Sequence, residues 1–233
     1  MITRRPTSTF ISIATISVAL WLSLQPVSAQ PRHTATAQTE ERDTTKFFQG
    51  FAVSADVVGL IQLAVSDYGQ YEAALRVNLK DRYFPIFELG LGKANHDDEA
   101  TKLHYETSAP YFRIGLDLNL LKNKHDIYRV YGGLRYAFTS FKFDVSHPGL
   151  EDPVWHDKVS FGAEGVKSTF HWMEAVMGVD AKIWGPIHLG WSVRYRRRLT
   201  DSVDAMDNCW YVPGFGVSDK DNFGGTFNII VDI

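Results

Sequence analysis

The 233-residue chain has a single cysteine, Cys209, so no disulfide can form within it. It has no apolar run of the roughly twenty residues that a membrane-crossing helix needs. The longest such run, 10–24, is shorter and broken by Ser and Thr. Nor is there an excess of positive charge. With 24 Lys and Arg against 27 Asp and Glu the net charge is −3, which gives no footprint for nucleic acid. The chain contains no phosphate-binding glycine loop, dinucleotide fingerprint, nucleophile elbow or paired-cysteine metal spacing. No catalytic, cofactor-binding or metal-ligating residue is therefore assigned, and the expectation is no cofactor and no enzyme. Without disulfides, a domain of this size must be stabilised by a large core or by a bilayer. A membrane-spanning structure built without helices must be a closed barrel of strands.

What is present begins with a secretory pattern. Arg4 and Arg5 precede the apolar run, and Val27-Ser28-Ala29 is a small-residue cleavage site. Residues 1–29 are read as a signal peptide whose removal takes the net charge to −5. Residues 30–46 are polar, Thr-rich and without an apolar period, and read as a disordered lead-in. Residues 47–233 form the barrel domain.

From Phe47 onward the chain returns eight times to alternation with period two, the signature of a strand with unlike faces. The stretches are 50–58, 70–79, 83–92, 110–120, 127–138, 168–183, 187–199 and 223–233. The seventh is the clearest. Ile187, Leu189, Trp191, Val193 and Tyr195 alternate with His188, Gly190, Ser192, Arg194, Arg196 and Arg198. These stretches match the nine to eleven residues of a tilted membrane strand better than the five or six usual in soluble proteins. Between them, short connections (80–82, 121–126, 184–186) alternate strictly with long polar ones (59–69, 93–109, 139–167, 200–222). All short turns then lie at one end, as in outer-membrane barrels. The pattern predicts an all-β fold, an eight-stranded antiparallel up-and-down transmembrane β-barrel with both termini in the periplasm.

The polar faces together hold Asp56, Glu72, Glu88, Asp117, Glu174 and Asp180 against Arg76, Arg113, Arg129, Arg135, Lys182, Arg194, Arg196 and Arg198. Eight strands enclose only enough room for side chains, so these residues are expected to pair in a charge-filled lumen and leave no pore. Interface aromatics are expected as Phe84, Tyr128 and Trp184 at the short-turn end, and Phe112, Phe138, Trp172 and Tyr195 toward the long-loop end.

Three runs, SDYGQYEAALRVN at 66–78, SAPYFRIG at 108–115 with 119–136, and 184–198, together with the terminal GGTFN at 224–228, resemble an uncharacterised family of small outer-membrane barrels from Bacteroidetes. The resemblance implies an outer-membrane location and no established activity. Such barrels commonly end in Phe or Trp, whereas this chain ends in Ile233.

Several candidate sites compete with plainer readings. His171 and Glu174 are three apart, which on a strand puts them on opposite faces. Asp97, Asp98 and Glu99 beside His96 and His104 could hold a divalent cation, but the calcium-loop spacing is missing. The lumen arginines could meet an anionic ligand, with internal ion pairing the favoured reading, and Arg197 is placed on the lipid face near headgroups. Cys209 is expected to be exposed in the last long loop. Ser140, His147 and Asp152 mark where a hydrolase site would be sought. The expected role is structural or interaction-based, carried by long external loops. Expected partners are outer-membrane lipid and lipopolysaccharide, the barrel insertion machinery and an extracellular partner, with no nucleic acid. Two alternatives stay open: a soluble periplasmic lipocalin-like barrel holding an apolar ligand, and a barrel enzyme acting on lipid or protein.

Overall fold

The computed structural model describes residues 46–123, 126–151, 158–203 and 209–233. The leader and lead-in read over 1–46 lie, apart from Lys46, outside the described residues. Eight strands form a closed antiparallel wall: β1 (Phe48–Asp56), β2 (Tyr68–Leu79), β3 (Tyr83–Asp97), β4 (His104–Asn119), β5 (Tyr128–Glu151), β6 (Lys158–Trp184), β7 (Ile187–Val203) and β10 (Asp221–Asp232). Each pairs with its neighbours in sequence, and β10 closes the ring onto β1 with Ala52 opposite Asp232 and Asp56 opposite Asn228. Two further strands, β8 (Tyr211–Val212) and β9 (Gly216–Val217), form a small hairpin that is not part of the wall.

The short turns are locally encoded. Between β2 and β3, Lys80 and Asp81 take left-handed φ values of 57° and 52°. Asn78 holds them there: its Oδ1 accepts from the Asp81 N–H at 2.9 Å and its Nδ2 donates to Asp81 Oδ1 at 2.6 Å. Asn and Asp side chains are suited to such turns because they can replace a backbone hydrogen bond.

Toward the short-turn end the two faces follow the period-two pattern. Phe51, Val53, Leu75, Leu89, Ile114, Leu116, Leu134, Met177, Val179, Val193 and Ile229 point outward and are exposed, while Glu72, Arg76, Glu88, Arg113, Asp117, Arg135, Glu174, Asp180 and Arg194 are buried inside. Outward neighbours also pack across strands: Phe112 and Phe138 are partners in the β4–β5 register, with stacked rings 5.3 Å apart.

Higher up, the alternation continues but its polarity inverts. Tyr105, Thr107, Ala109, Phe141, Phe143 and Phe170 are buried, while Glu106, Ser108, Lys142 and Asp144 face outward. This inversion explains a correction to the expected loops. Much of 93–109 and 139–167 is strand, and β5 and β6 reach 24 and 27 residues. With polar groups outside and aromatics inside, these segments resemble loops when only an apolar outward face is sought.

The first long connection also differs from expectation. Residues Val57–Val65 form a helix, α1, rather than a polar loop. Asp56 caps it, its two carboxylate oxygens accepting from the Val58 and Gly59 N–H groups at 3.1 Å each. Asp56 is therefore a buried helix cap, with no ion pair among the described contacts, and not a member of the lumen pairing expected for it.

Candidate functional site

Five carboxylates and six arginines form one connected array across the barrel interior. At its centre Glu88 accepts from Arg113 Nη1 at 3.1 Å, from Arg194 Nη1 at 3.1 Å and from Arg135 Nη1. Glu72 pairs with Arg113 Nη1 and, at 3.0 Å, with Arg194 Nη2, and also accepts the Tyr111 hydroxyl at 2.7 Å. Glu174 is fully buried. It receives the Trp172 indole N–H at 2.7 Å and lies 2.9 Å from Arg113 Nε and 3.3 Å from Arg196 Nε. Toward the short-turn end Asp117 pairs with Arg135 at 3.2 Å, and Asp180 with Arg76 at 2.6 Å and Arg129 at 2.8 Å. Charges taken out of water are tolerable only when so paired.

The array continues into a plug. The β8–β9 hairpin turns inward at Pro213-Gly214-Phe215, so Arg113 Nη2 donates to the Gly214 carbonyl at 2.7 Å and Arg196 Nη1 to the Phe215 carbonyl at 2.8 Å. Phe215 is fully buried, with its ring 5.1 Å from Phe170 and 5.8 Å from Trp172. Tyr111 lies between two glycines that must lack side chains: a Cβ on Gly90 would fall 2.1 Å from its ring, and one on Gly214 (φ +81°) 2.5 Å from it. One tyrosine thus links the charged layer to the plug. The interior is closed by ion pairs below and by this hairpin above.

Of the fourteen lumen charges expected from alternation, eleven meet in this array. Asp56 caps α1, as described. Lys182 is exposed opposite His188, one rung before the Trp184–Ile187 pair that closes the Gly185–Pro186 turn. Arg198 is half-buried at the opposite rim, where the interior has become aromatic. It pairs with Asp201 at 3.5 Å on its own strand and sits over the Phe170 ring. Among the expected interface aromatics, Tyr128, Trp184, Phe112, Phe138 and Tyr195 face outward. Phe84 and Trp172 face inward instead. They share parity with Glu88 and Glu174, and Phe84 packs beneath Arg129, whose guanidinium lies 4.3 Å from its ring.

The other candidates separate in space. His171 faces outward against the Tyr136 hydroxyl at 2.8 Å, on the opposite face from Glu174. His96 pairs with Asp67 at 2.9 Å and His104 with Asp97 at 2.8 Å, while Asp98 Oδ1 accepts from the Ala100 and Thr101 N–H groups of its own turn. Those turn hydrogen bonds hold the Asp98 carboxyl below the usual range. Among the described residues no group of three potential metal ligands comes together. Ser140 and His147 lie seven residues apart on β5, on opposite faces and about 24 Å apart along the strand. Asp152 lies outside the described residues.

Cys209 corrects another expectation. It is buried at the base of the hairpin, in the aromatic cluster that also holds Tyr211 and Phe215, with Sγ 3.8 Å from Ser218 Oγ. Burial pushes its thiol pKa up, so the thiolate fraction at neutral pH falls. Maleimide should label the folded protein at least about tenfold more slowly than the urea-unfolded protein. Equal rates would contradict a docked hairpin. The sequence did carry a signal for the plug, the apolar run Tyr211-Val-Pro-Gly-Phe215 inside an otherwise polar connection.

No curated protein matches the chain. Among solved structures it is similar to a major outer membrane protein from Thermus thermophilus, with 12% identity, a TM-score of 0.45, and 79% of this chain and 98% of that one covered. It is also similar to Ail, the attachment invasion locus protein of Yersinia pestis, solved in complex with the heparin analogue sucrose octasulfate. Here identity is 9% and the TM-score 0.36, over 78% of this chain and 93% of that one. The profile of a domain of unknown function, DUF6048, matches residues 9–232, and the chain belongs to that family.

Proposed function

We propose that this protein is a closed outer-membrane barrel of a Bacteroidetes envelope, made with a leader cleaved after Ala29, that acts through its long-loop end as a structural or interaction protein and conducts nothing. The observation that carries this reading is the inside-out distribution of polarity. Around the lower barrel the outward face is apolar on every strand, and the buried face carries the charges. Water offers such a surface no stabilisation, whereas hydrocarbon does. A soluble barrel holding an apolar ligand needs the reverse, and its cavity would be the space that the ion pairs fill. The outward aromatics Tyr128 and Trp184 near one end, and Phe112, Phe138 and Tyr195 toward the other, fit the two interfaces. Above the second group the outer face turns polar, where strands would leave the bilayer and meet lipopolysaccharide and external partners. Folding into the membrane would use the barrel insertion machinery.

The experiment that tests orientation and role is surface accessibility combined with conductance. An epitope inserted at the Asp98–Lys102 turn should be reached by antibody on intact cells, and one inserted at Lys80–Arg82 should not. The purified barrel should add no steps of ion conductance to a planar bilayer. The opposite labelling pattern, or stable conductance, would overturn the reading. The lipid-facing assignment makes its own prediction. Leu134, 60% exposed and opposite Leu116 near mid-barrel, should cost about 2–4 kcal/mol when changed to Arg. Unfolding from vesicles by urea measures this, and a cost near zero would place Leu134 in water.

A further inference from the structure

The wall of the barrel is incomplete on one side. β1 stops pairing with β10 at Asp56 opposite Asn228, and with β2 at Ala55 opposite Ala73. Above that level β10 runs on through Phe227 to Asp221, paired with β7 on one side and, among the described residues, with no strand on the other. Helix α1 crosses this notch and lies against both of its edges, more extensively against β2 than against β10. A Cβ on Gly59 would lie 2.5 Å from the Gln70 carbonyl oxygen, and one on Gly69 2.6 Å from Leu63, so helix and β2 are in direct backbone contact. Toward β10, the hydrogen bond that spans the notch is from the Phe227 N–H to the Asp56 cap at 3.2 Å.

Behind the notch lies a cavity of about 340 Å³. Its polar walls come from Asp56, Gln62, Gln70, Arg196, Tyr211 and Asn222. One cation and one carboxylate beside three side-chain amides and two tyrosines, Tyr68 being the second, give a nearly neutral site rich in hydrogen-bonding groups. That chemistry suits a polyhydroxylated group better than a phosphate, which would need an excess of positive charge.

The notch opens sideways. α1 reads VVGLIQLAV, with no charged residue and with Val58, Leu60, Ile61 and Val65 exposed. It begins beside Asn228, five residues below Phe223, whose ring packs 5.0 Å from that of the interface residue Tyr195. Five residues of tilted strand drop roughly 13 Å toward the membrane centre. The apolar helix therefore lies at the depth of the outer leaflet.

We propose that this notch is a lateral binding site for a lipid of the outer leaflet with a sugar headgroup, the sugar held in the cavity and the acyl chains lying along α1. This rests on the membrane assignment above. The probe is a glucosyl diacylglycerol carrying a diazirine on its sugar, at a few per cent in phosphatidylcholine nanodiscs containing the full barrel. Photolabelling mapped by mass spectrometry should saturate, fall on peptides bearing Gln62, Gln70 and Asn222, and be competed by unlabelled glucosyl lipid but not by free glucose. Val58→Trp, which adds bulk at an exposed position of the rim, should lower labelling at least five-fold while the unboiled gel mobility stays that of the folded barrel. Labelling that is unsaturable, spread around the wall, unchanged in Val58→Trp or competed equally by free glucose overturns the proposal. Loss of the folded gel form in the parent protein would instead overturn the membrane assignment.

Discussion

Replacing Glu88 by Ala is expected to destabilise the barrel by about 3–5 kcal/mol, the cost of leaving buried cations without their partner. Glu88 is almost fully buried and accepts from Arg113, Arg135 and Arg194. Removing it leaves six arginines facing four carboxylates. Arg135 would retain Asp117, and Arg113 and Arg194 would retain Glu72 and Glu174, so the array would split into two clusters, one around Glu72 and Glu174 and one around Asp117 and Asp180. Glu88→Gln keeps the shape and one accepting oxygen but sets an amide NH2 donor against an arginine in place of the other, so its loss should be smaller than that of Ala while still measurable. Urea titration of vesicle-embedded protein, followed by the unboiled gel form, gives both midpoints. If Glu88→Ala lies within about 0.5 kcal/mol of the parent, the lumen array contributes no net stability and serves only to fill space.

The second large effect concerns the plug. Phe215→Ala removes a fully buried ring packed on Phe170 and Trp172 and should cost the docked hairpin about 3–5 kcal/mol. The open form would gain roughly two to four orders of magnitude in population. Proteolysis near Trp210–Val217 and maleimide labelling of Cys209 should both accelerate accordingly. Conductance should still be absent, because the Glu72, Glu88 and Glu174 ion pairs block the lumen below the hairpin. A pore appearing in Phe215→Ala would make the hairpin the gate and the ion pairs a lining that leaves a passage.

Much of this arrangement is legible in the sequence because a strand records its two faces in alternate residues. The period-two pattern places Glu72, Arg76, Glu88, Arg113, Arg135, Glu174 and Arg194 inside together. Followed strictly, it also places Phe84 and Trp172 inside, since they share parity with Glu88 and Glu174. Aromatic character alone points to the interface, but position in the alternation decides which way these two side chains face. Polarity inversion hid the upper halves of β5 and β6, where Lys142 and Asp144 face outward and Phe141 and Phe143 inward. The alternation persists there while its meaning reverses. Two features depend on contacts that no local period records. The hairpin docks because Arg113 and Arg196 find its carbonyls across the barrel, and the wall is notched because Asp56 caps a helix where a strand could have continued.

The central claim is that the apolar outer face of this closed barrel is solvated by lipid. Envelope fractionation followed by gel electrophoresis with and without boiling tests it most directly. Recovery in the outer membrane is expected, with a band that migrates faster unboiled than boiled, because a folded barrel stays compact in detergent. Recovery in the soluble periplasmic fraction, or identical mobility before and after boiling, would contradict it.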